Sequence, residues 1–220
     1  MSRHVHDTTH GPAVRSSFRS AVDGFVELVG TVPAARLGEP ALGSWSVRDL
    51  IGHACRALST IESYAGRAAD GPPVDGPAAY YAAAGAAPPG SDDRRRRDAS
   101  IAERGREAGE ALGDDPAAAV RVLAERVTAL VDRSDDATPM ATAVGRMTLA
   151  GYLPTRTFEL VVHGLDLAGA LGLPVPEVLR PAIAASTVLA GEIAAGRPDA
   201  PQVLLALCGR HGLPEGFSVV

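Results

Sequence analysis

Glu159 and His163 are four residues apart, a spacing that sets a carboxylate and an imidazole on one face of a helix, one turn from each other. Their neighbours Phe158, Leu160, Val161, Val162, Leu165 and Leu167 are apolar. In such surroundings the two groups cost several kcal/mol unless they are paired with each other or bound to a metal ion. His53 is the other histidine lying away from the ends of the chain. One His from one helix and a Glu-xxx-His from another make an N/O donor set suited to zinc or a related divalent ion. Three protein ligands leave a coordination position open, which separates catalytic from structural zinc. Taken singly, each residue has a plainer reading. A lone histidine is commonly a hydrogen-bonded, semi-buried side chain, and a Glu-xxx-His is commonly an ordinary helical pair.

Helices have to hold these side chains. Ser46 as N-cap with Asp49 three residues on forms a capping box, and Trp45 stands where a hydrophobic staple would. The helix so started should reach about Ala69, with Leu50, Ile51, Ala54, Leu58, Ile61 and Ala65 as its apolar stripe and His53 at the stripe's edge. Glu159 and His163 belong to a helix over about Arg146 to Leu171. It carries Leu149, Leu153, Leu160, Leu167 and Leu171 on one face and Phe158, Val161 and Leu165 on the other, so it should be central. Pro154 falls in an early turn or at a kink.

The remaining elements follow from the same signals. A first helix spans Ala13 to Val29, and a Pro- and Gly-punctuated loop spans Thr31 to Trp45. Asp70 to Asp93 reads as a long loop of the kind that often serves as a lid, with Tyr80 and Tyr81 in a short helical turn. Arg94 to Arg97 reads as the solvated first turn of a helix through Leu112. Asp115 as N-cap and Pro116 open another helix to Arg133, followed by a loop over Ser134 to Ala141. After Gly172 come helical pieces over Pro176 to Ala195 and Pro201 to Leu207. No alternating strand pattern exceeds a few residues. The expected organisation is a flexible arm over residues 1–12, a helical bundle over 13–172 and a C-terminal helical extension over 173–220. Val178, Ile183, Val188 and Ile193 of that extension need a surface, either the bundle or an identical partner in a homodimer.

Composition narrows the function classes. In 220 residues, 21 basic groups, all arginine, face 26 acidic ones for a net charge of −5, so no positive field draws nucleic acid or an anionic membrane. Aromatics are only 4%, and a core of Ala, Leu and Val points to helix packing rather than a β-sandwich. Neither a secretory signal nor an apolar run long enough for a membrane span is visible, and Cys55 and Cys208 lie far apart in sequence, so a reduced cytoplasmic protein is expected. Both cysteines read as packed thiols. His4, His6 and His10 read as part of a frayed tail, although their spacing would also hold a metal loosely. The expected partner is a small-molecule substrate.

Two blocks of sequence carry a resemblance. Trp45-Ser46-Val47-Arg48-Asp49-Leu50-Ile51-Gly52-His53 precedes, by a hundred residues, Arg156-Thr157-Phe158-Glu159-Leu160-Val161-Val162-His163-Gly164-Leu165-Asp166-Leu167-Ala168. Together they resemble the mycothiol-dependent maleylpyruvate isomerase N-terminal family of the DinB-like superfamily, over roughly Val14 to Gly172. The resemblance implies an all-α, DinB-like four-helix bundle, here with additional C-terminal helices. It also implies a divalent metal, usually zinc, held by His53, Glu159 and His163, and the use of mycothiol, the thiol of actinobacteria, in isomerisation or S-transfer. Arg156 is then a candidate contact for a substrate anion, and Asp166 a candidate acceptor for a ligand histidine. If the open position instead holds water, with its pKa lowered to about 7, the same scaffold becomes a hydrolase or cyclase. A non-catalytic metal-binding module is the third reading. Maleylpyruvate isomerase itself carries a separate α+β domain after the bundle, where this chain reads as helical.

Overall fold

The computed structural model describes residues 11–67, 71–85 and 91–220, so His4, His6 and His10 lie outside the described residues. Helix α1 (Gly11–Gly30) buries Val14, Phe18, Ala21, Val22, Phe25, Leu28 and Val29, which recur at three- and four-residue spacing. That stripe packs on α5 (Pro116–Arg133) and α6 (Leu149–Leu171), and α2 (Val47–Tyr64) contacts the same two helices from the other side. The four close into a bundle around Phe18, Phe25, Leu50, Leu58, Tyr152, Leu153 and Leu160. The fold is all-α, as the periodicities imply.

Caps fix where the bundle helices start. Asp49 Oδ2 accepts the Ser46 N–H at 3.0 Å while Ser46 Oγ accepts the Asp49 N–H at 3.3 Å, so the capping box is formed. Asp115 caps α5 by accepting from the Ala118 N–H at 2.9 Å, and Thr148 caps α6 by accepting from the Gly151 N–H at 3.1 Å. Gly172, at φ +63°, ends α6 in the left-handed conformation that a side chain disfavours. Pro154 lies inside α6.

Two hairpins replace loop and helix expected from the sequence. β1 (Pro40–Leu42) pairs with β2 (Trp45–Ser46), and β3 (Pro139–Thr142) pairs in register with β4 (Gly145–Thr148). Each leads into a helix that carries part of the site. Strands of two to four residues are too short for alternation to register against helical periodicity. Because Arg146 to Thr148 belong to β4, α6 begins at Leu149. Likewise α2 stops at Tyr64 rather than near Ala69, because Ala65 turns extended to bridge Met140 and the Gly66 N–H donates to Pro139 at 2.9 Å. The Tyr80–Tyr81 segment is a nine-residue helix, α3 (Gly76–Ala84).

Helix α4 (Asp92–Ala111) lies on the outer side of α2. Gly52 and Gly109 allow the two backbones to touch, since a Cβ on Gly52 would sit 2.1 Å from the Gly109 nitrogen. At its first turn Arg95 and Arg96 pair with Asp92 and Asp93, so the arginine run is a solvated helix start. Helix α7 (Arg180–Ala195) packs on α1, α3 and α6 through Ala182, Ser186, Leu189 and Ile193, and α8 (Ala200–Leu207) follows it. Leu179, fully buried, rests on Gly24, where a Cβ would be 2.3 Å from its Cγ. Among the described residues one stretch, Glu177–Ala195, is long and apolar enough to cross a membrane by length and composition. Three sequence expectations fail locally. Leu165 is exposed on α6, Val178 and Val188 of the extension are exposed at 37% and 58% whereas Ile193 is buried, and Cys208 is exposed at the end of α8 rather than packed, whereas Cys55 is in the core.

Candidate metal centre

His53 is placed by the start of α2 and by its contact with α4. Gly105 leaves room for the Trp45 indole, whose Nε1–H donates to the Ala102 carbonyl at 3.0 Å. The indole ring lies 4.4 Å from the His53 ring and tilted 33° to it. On the other side stands the His163 ring, 4.7 Å away and nearly perpendicular. Trp45 therefore backs the histidine rather than acting only as a staple for α2. His53 Nδ1 is buried with no hydrogen-bond partner among the described residues. Burial, followed by the nearby His163 charge, pushes the His53 pKa down to about 4, so the ring is neutral at pH 7 with a lone pair available.

Glu159 and His163 meet His53 from α6. His163 Nε2 lies 3.4 Å from Glu159 Oε2, and His163 Nδ1 lies 3.1 Å from Asp166 Oδ2. Tyr81 of α3 donates its hydroxyl to Glu159 Oε1 at 2.8 Å. Burial alone would lower the His163 pKa, but hydrogen bonds to Asp166 and Glu159 outweigh it and push the value up to about 9. Burial likewise opposes ionisation of Glu159, yet the His163 hydrogen bond, the Arg156 charge and the Tyr81 hydroxyl hold its pKa down at about 2. The carboxylate is thus ionised at neutral pH, and its imidazole partner is cationic when nothing else neutralises it.

One donor atom from each of His53, Glu159 and His163 lies within 4.8 Å of the other two. Two imidazoles and a carboxylate are an ordinary zinc donor set, and bonds of about 2.1 Å would put tetrahedral ligands roughly 3.4 Å apart, the separation of the His163 and Glu159 atoms. The unpartnered His53 nitrogen fits the same reading. The side chains of His163 and Glu159 keep 14% and 26% exposure, so the cluster reaches solvent. Asp166 bonds the far nitrogen of His163, as the outer partner of a metal-binding histidine does.

Arg156 lies one turn before Glu159 and is buried. Its guanidinium stacks 4.7 Å from the Tyr152 ring centroid and 5.5 Å from that of Tyr80, and Nε–H donates to Thr155 Oγ1 at 3.0 Å. Among the described residues no carboxylate pairs with it within 4 Å, and its other side-chain partner is the Tyr80 hydroxyl, at 3.4 Å. Cys55 lies outside the cluster, and burial pushes its thiol up to about 12. Arg210 and His211 are exposed in the tail. Two participants were not singled out from sequence, Trp45 as a ring partner of His53 and Tyr81 as the donor to Glu159. For Tyr81 the available signal was an aromatic pair in a segment otherwise made of Pro, Gly and Ala.

Neither a curated protein nor a solved structure matches the chain. A sequence profile of the mycothiol maleylpyruvate isomerase N-terminal domain matches residues 18–168. That span contains all three donors of the cluster, together with Tyr81, Arg156 and Asp166, and ends before α7. The chain belongs to the mycothiol maleylpyruvate isomerase N-terminal domain family.

Proposed function

We propose that this chain is a metal-dependent enzyme, with zinc as the ion, that uses a low-molecular-weight thiol, mycothiol, for isomerisation or S-transfer on a small electrophilic metabolite. The observation that carries this reading is the meeting of His53, Glu159 and His163 at one solvent-reaching point between two bundle helices of a mycothiol-associated family. Zinc there would supply a thiolate at neutral pH, ready to add to an electrophilic alkene or displace a leaving group, and would polarise a substrate carbonyl. His53, neutral and backed by Trp45, is one donor. Glu159, ionised and oriented by the Tyr81 hydroxyl, is another. His163 presents Nε2 to the site because Asp166 holds Nδ1. Arg156, cationic and without a carboxylate partner within 4 Å among the described residues, is suited to receive the anionic end of a substrate. The C-terminal segment folds as α7, packed on the bundle, and α8, which contacts α7, rather than as a sheet, so the substrate is proposed by class and not as maleylpyruvate.

Elemental analysis and thiol-dependent turnover test the proposal. The purified chain should carry about one zinc, and His53→Ala and Glu159→Gln should lose most of it. Turnover of candidate electrophiles should require mycothiol and fail in His163→Ala, whose helicity should be near that of the parent. Full metal retention in both ligand variants would overturn the site. Metal-dependent turnover indifferent to added thiol would replace the thiol chemistry with the hydrolase reading.

A further inference from the structure

Two arginines stand beside the metal cluster, one on α2 and one on α4. Gly52, Arg56 and Thr60 fall at every fourth position of α2, in one row along the helix. Gly52 rests on the α4 backbone at Gly109, and Thr60 Oγ1 accepts from the Tyr152 hydroxyl of α6 at 3.1 Å. Arg56 lies midway in that row and three residues after His53, so it faces the gap between α4 and α6 on the His53 side. On α4, Arg97 donates to the Ala84 carbonyl at the end of α3, and Arg104 stands two turns further along the same line. Its neighbour Gly105 lies against the Trp45 indole that backs His53.

Both charges reach the cluster. Burial and the His163 charge act first in lowering the His53 pKa, and the Arg56 and Arg104 charges add to them. The fold itself employs neither guanidinium for long-range pairing. Among the described residues neither has a carboxylate within 4 Å, and while Arg104 donates to Ser100 Oγ one turn back in its own helix, the Arg56 guanidinium has no hydrogen-bond partner. Arginines elsewhere that lack a carboxylate, such as Arg121 and Arg133, are exposed and solvated, whereas Arg56 and Arg104 are half-buried. A cation partly withdrawn from water with no counter-charge favours the arrival of an anion.

We propose that Arg56 and Arg104 form a cationic rim that captures the carboxylate of a small ligand whose other end reaches the metal cluster. The planar guanidinium fork matches a carboxylate, and two forks carried by different helices fix where that carboxylate sits. Arg156 is a separate group, buried more deeply and stacked on Tyr152 and Tyr80. An incoming anion meets the rim first, which raises its local concentration over the donors. For the inner end of the ligand the proposal rests on the metal reading, but the rim itself does not.

Calorimetric titration of the zinc-loaded full chain with 3-mercaptopropionate and with its neutral methyl ester tests this, because the two thiols share a metal-directed end and differ in the carboxylate. The ratio of their affinities, acid over ester, should fall about tenfold in Arg56→Gln and in Arg104→Gln. Arg121→Gln, which removes an exposed arginine on α5, should leave the ratio at the parent value. Added salt should lower the ratio in the parent and leave it nearly unchanged in the double variant, since only the parent uses charge to tell the probes apart. A ratio unchanged in either single variant overturns the shared rim and leaves the metal reading intact. A ratio that falls equally in Arg121→Gln overturns it as well, because net charge alone would then account for the preference. A chain that takes up no zinc fails the metal reading by elemental analysis, and the rim is then read with propionate against methyl acetate. Saturable propionate binding that is lost in Arg56→Gln supports the rim there, and its absence overturns it.

Discussion

His163 has a carboxylate on each ring nitrogen, and the consequences are readable in pH. In the metal-free chain its pKa of about 9 stands above the unfolded value of 6.5, so its stabilisation is full below pH 6.5 and is lost as pH rises through about 9. His53 works in the opposite sense. Because it stays neutral down to about pH 4, the unfolded state gains on the folded one as pH falls from 6.5 through 4. The stabilisation from Glu159, whose pKa is lowered from 4.5 to about 2, is full above pH 4.5 and is lost as pH falls further, through about 2. The melting temperature of the metal-free protein should therefore peak near pH 6.5 and fall on both sides, and a maximum near pH 9 would contradict the assignment. Metal uptake at pH 7.5 should expel the His163 proton, so its calorimetric enthalpy should vary with the ionisation enthalpy of the buffer. Asp166→Asn and Tyr81→Phe should each weaken zinc binding by about ten- to a hundredfold in a chelator competition, with circular dichroism unchanged. Glu159 and His163 were legible in the sequence because a four-residue spacing is local geometry, whereas Asp166 stood out only within the block that carries the family resemblance. Tyr81, which lies 78 residues from the carboxylate it bonds, depends on how α3 folds back over α6, and no local pattern encodes that.

At the scale of elements, the start of α2 was readable to the residue because a capping box is written in four consecutive positions, whereas its end was not. Ala65 leaves the helix to meet Met140, a partner set by the β3–β4 hairpin far along the chain. The bundle helices were likewise visible in their apolar spacing, while hairpins two to four residues long left no periodicity to read. Two substitutions separate the roles of cap and contact. Ser46→Ala removes the side chain that accepts the Asp49 N–H and should cost about 1 kcal/mol, measured by denaturant unfolding. Gly52→Ala forces a methyl against the Gly109 backbone and should cost about 1–3 kcal/mol or more. By moving α4, and with it Trp45, away from His53, Gly52→Ala should also weaken metal binding, which Ser46→Ala should do far less.

The whole molecule is tied together by contacts that cross the limit of the family match. Leu179 sits fully buried over Gly24, and Ser20 donates to the Val178 carbonyl, so the extension completes the outer side of α1. Leu179→Ala should accordingly cost about 2–5 kcal/mol, read as a fall in the denaturation midpoint with unchanged slope. The arrangement of the three donors has a consequence for rates. His53 stands on one side of roughly a hundred residues of chain, and Glu159 with His163 on the other, so an ion held by all three ties the ends of a long loop. The complete donor set exists only once α2 and α6 have met. An ion should then act as a latch: refolding from denaturant should proceed at nearly the same speed with or without it, whereas escape from the native state should be slower by up to about a hundredfold when free zinc exceeds its Kd by about the same factor. Stopped-flow unfolding in the presence and absence of a chelator would show whether the ion holds the two helices together or merely sits between them.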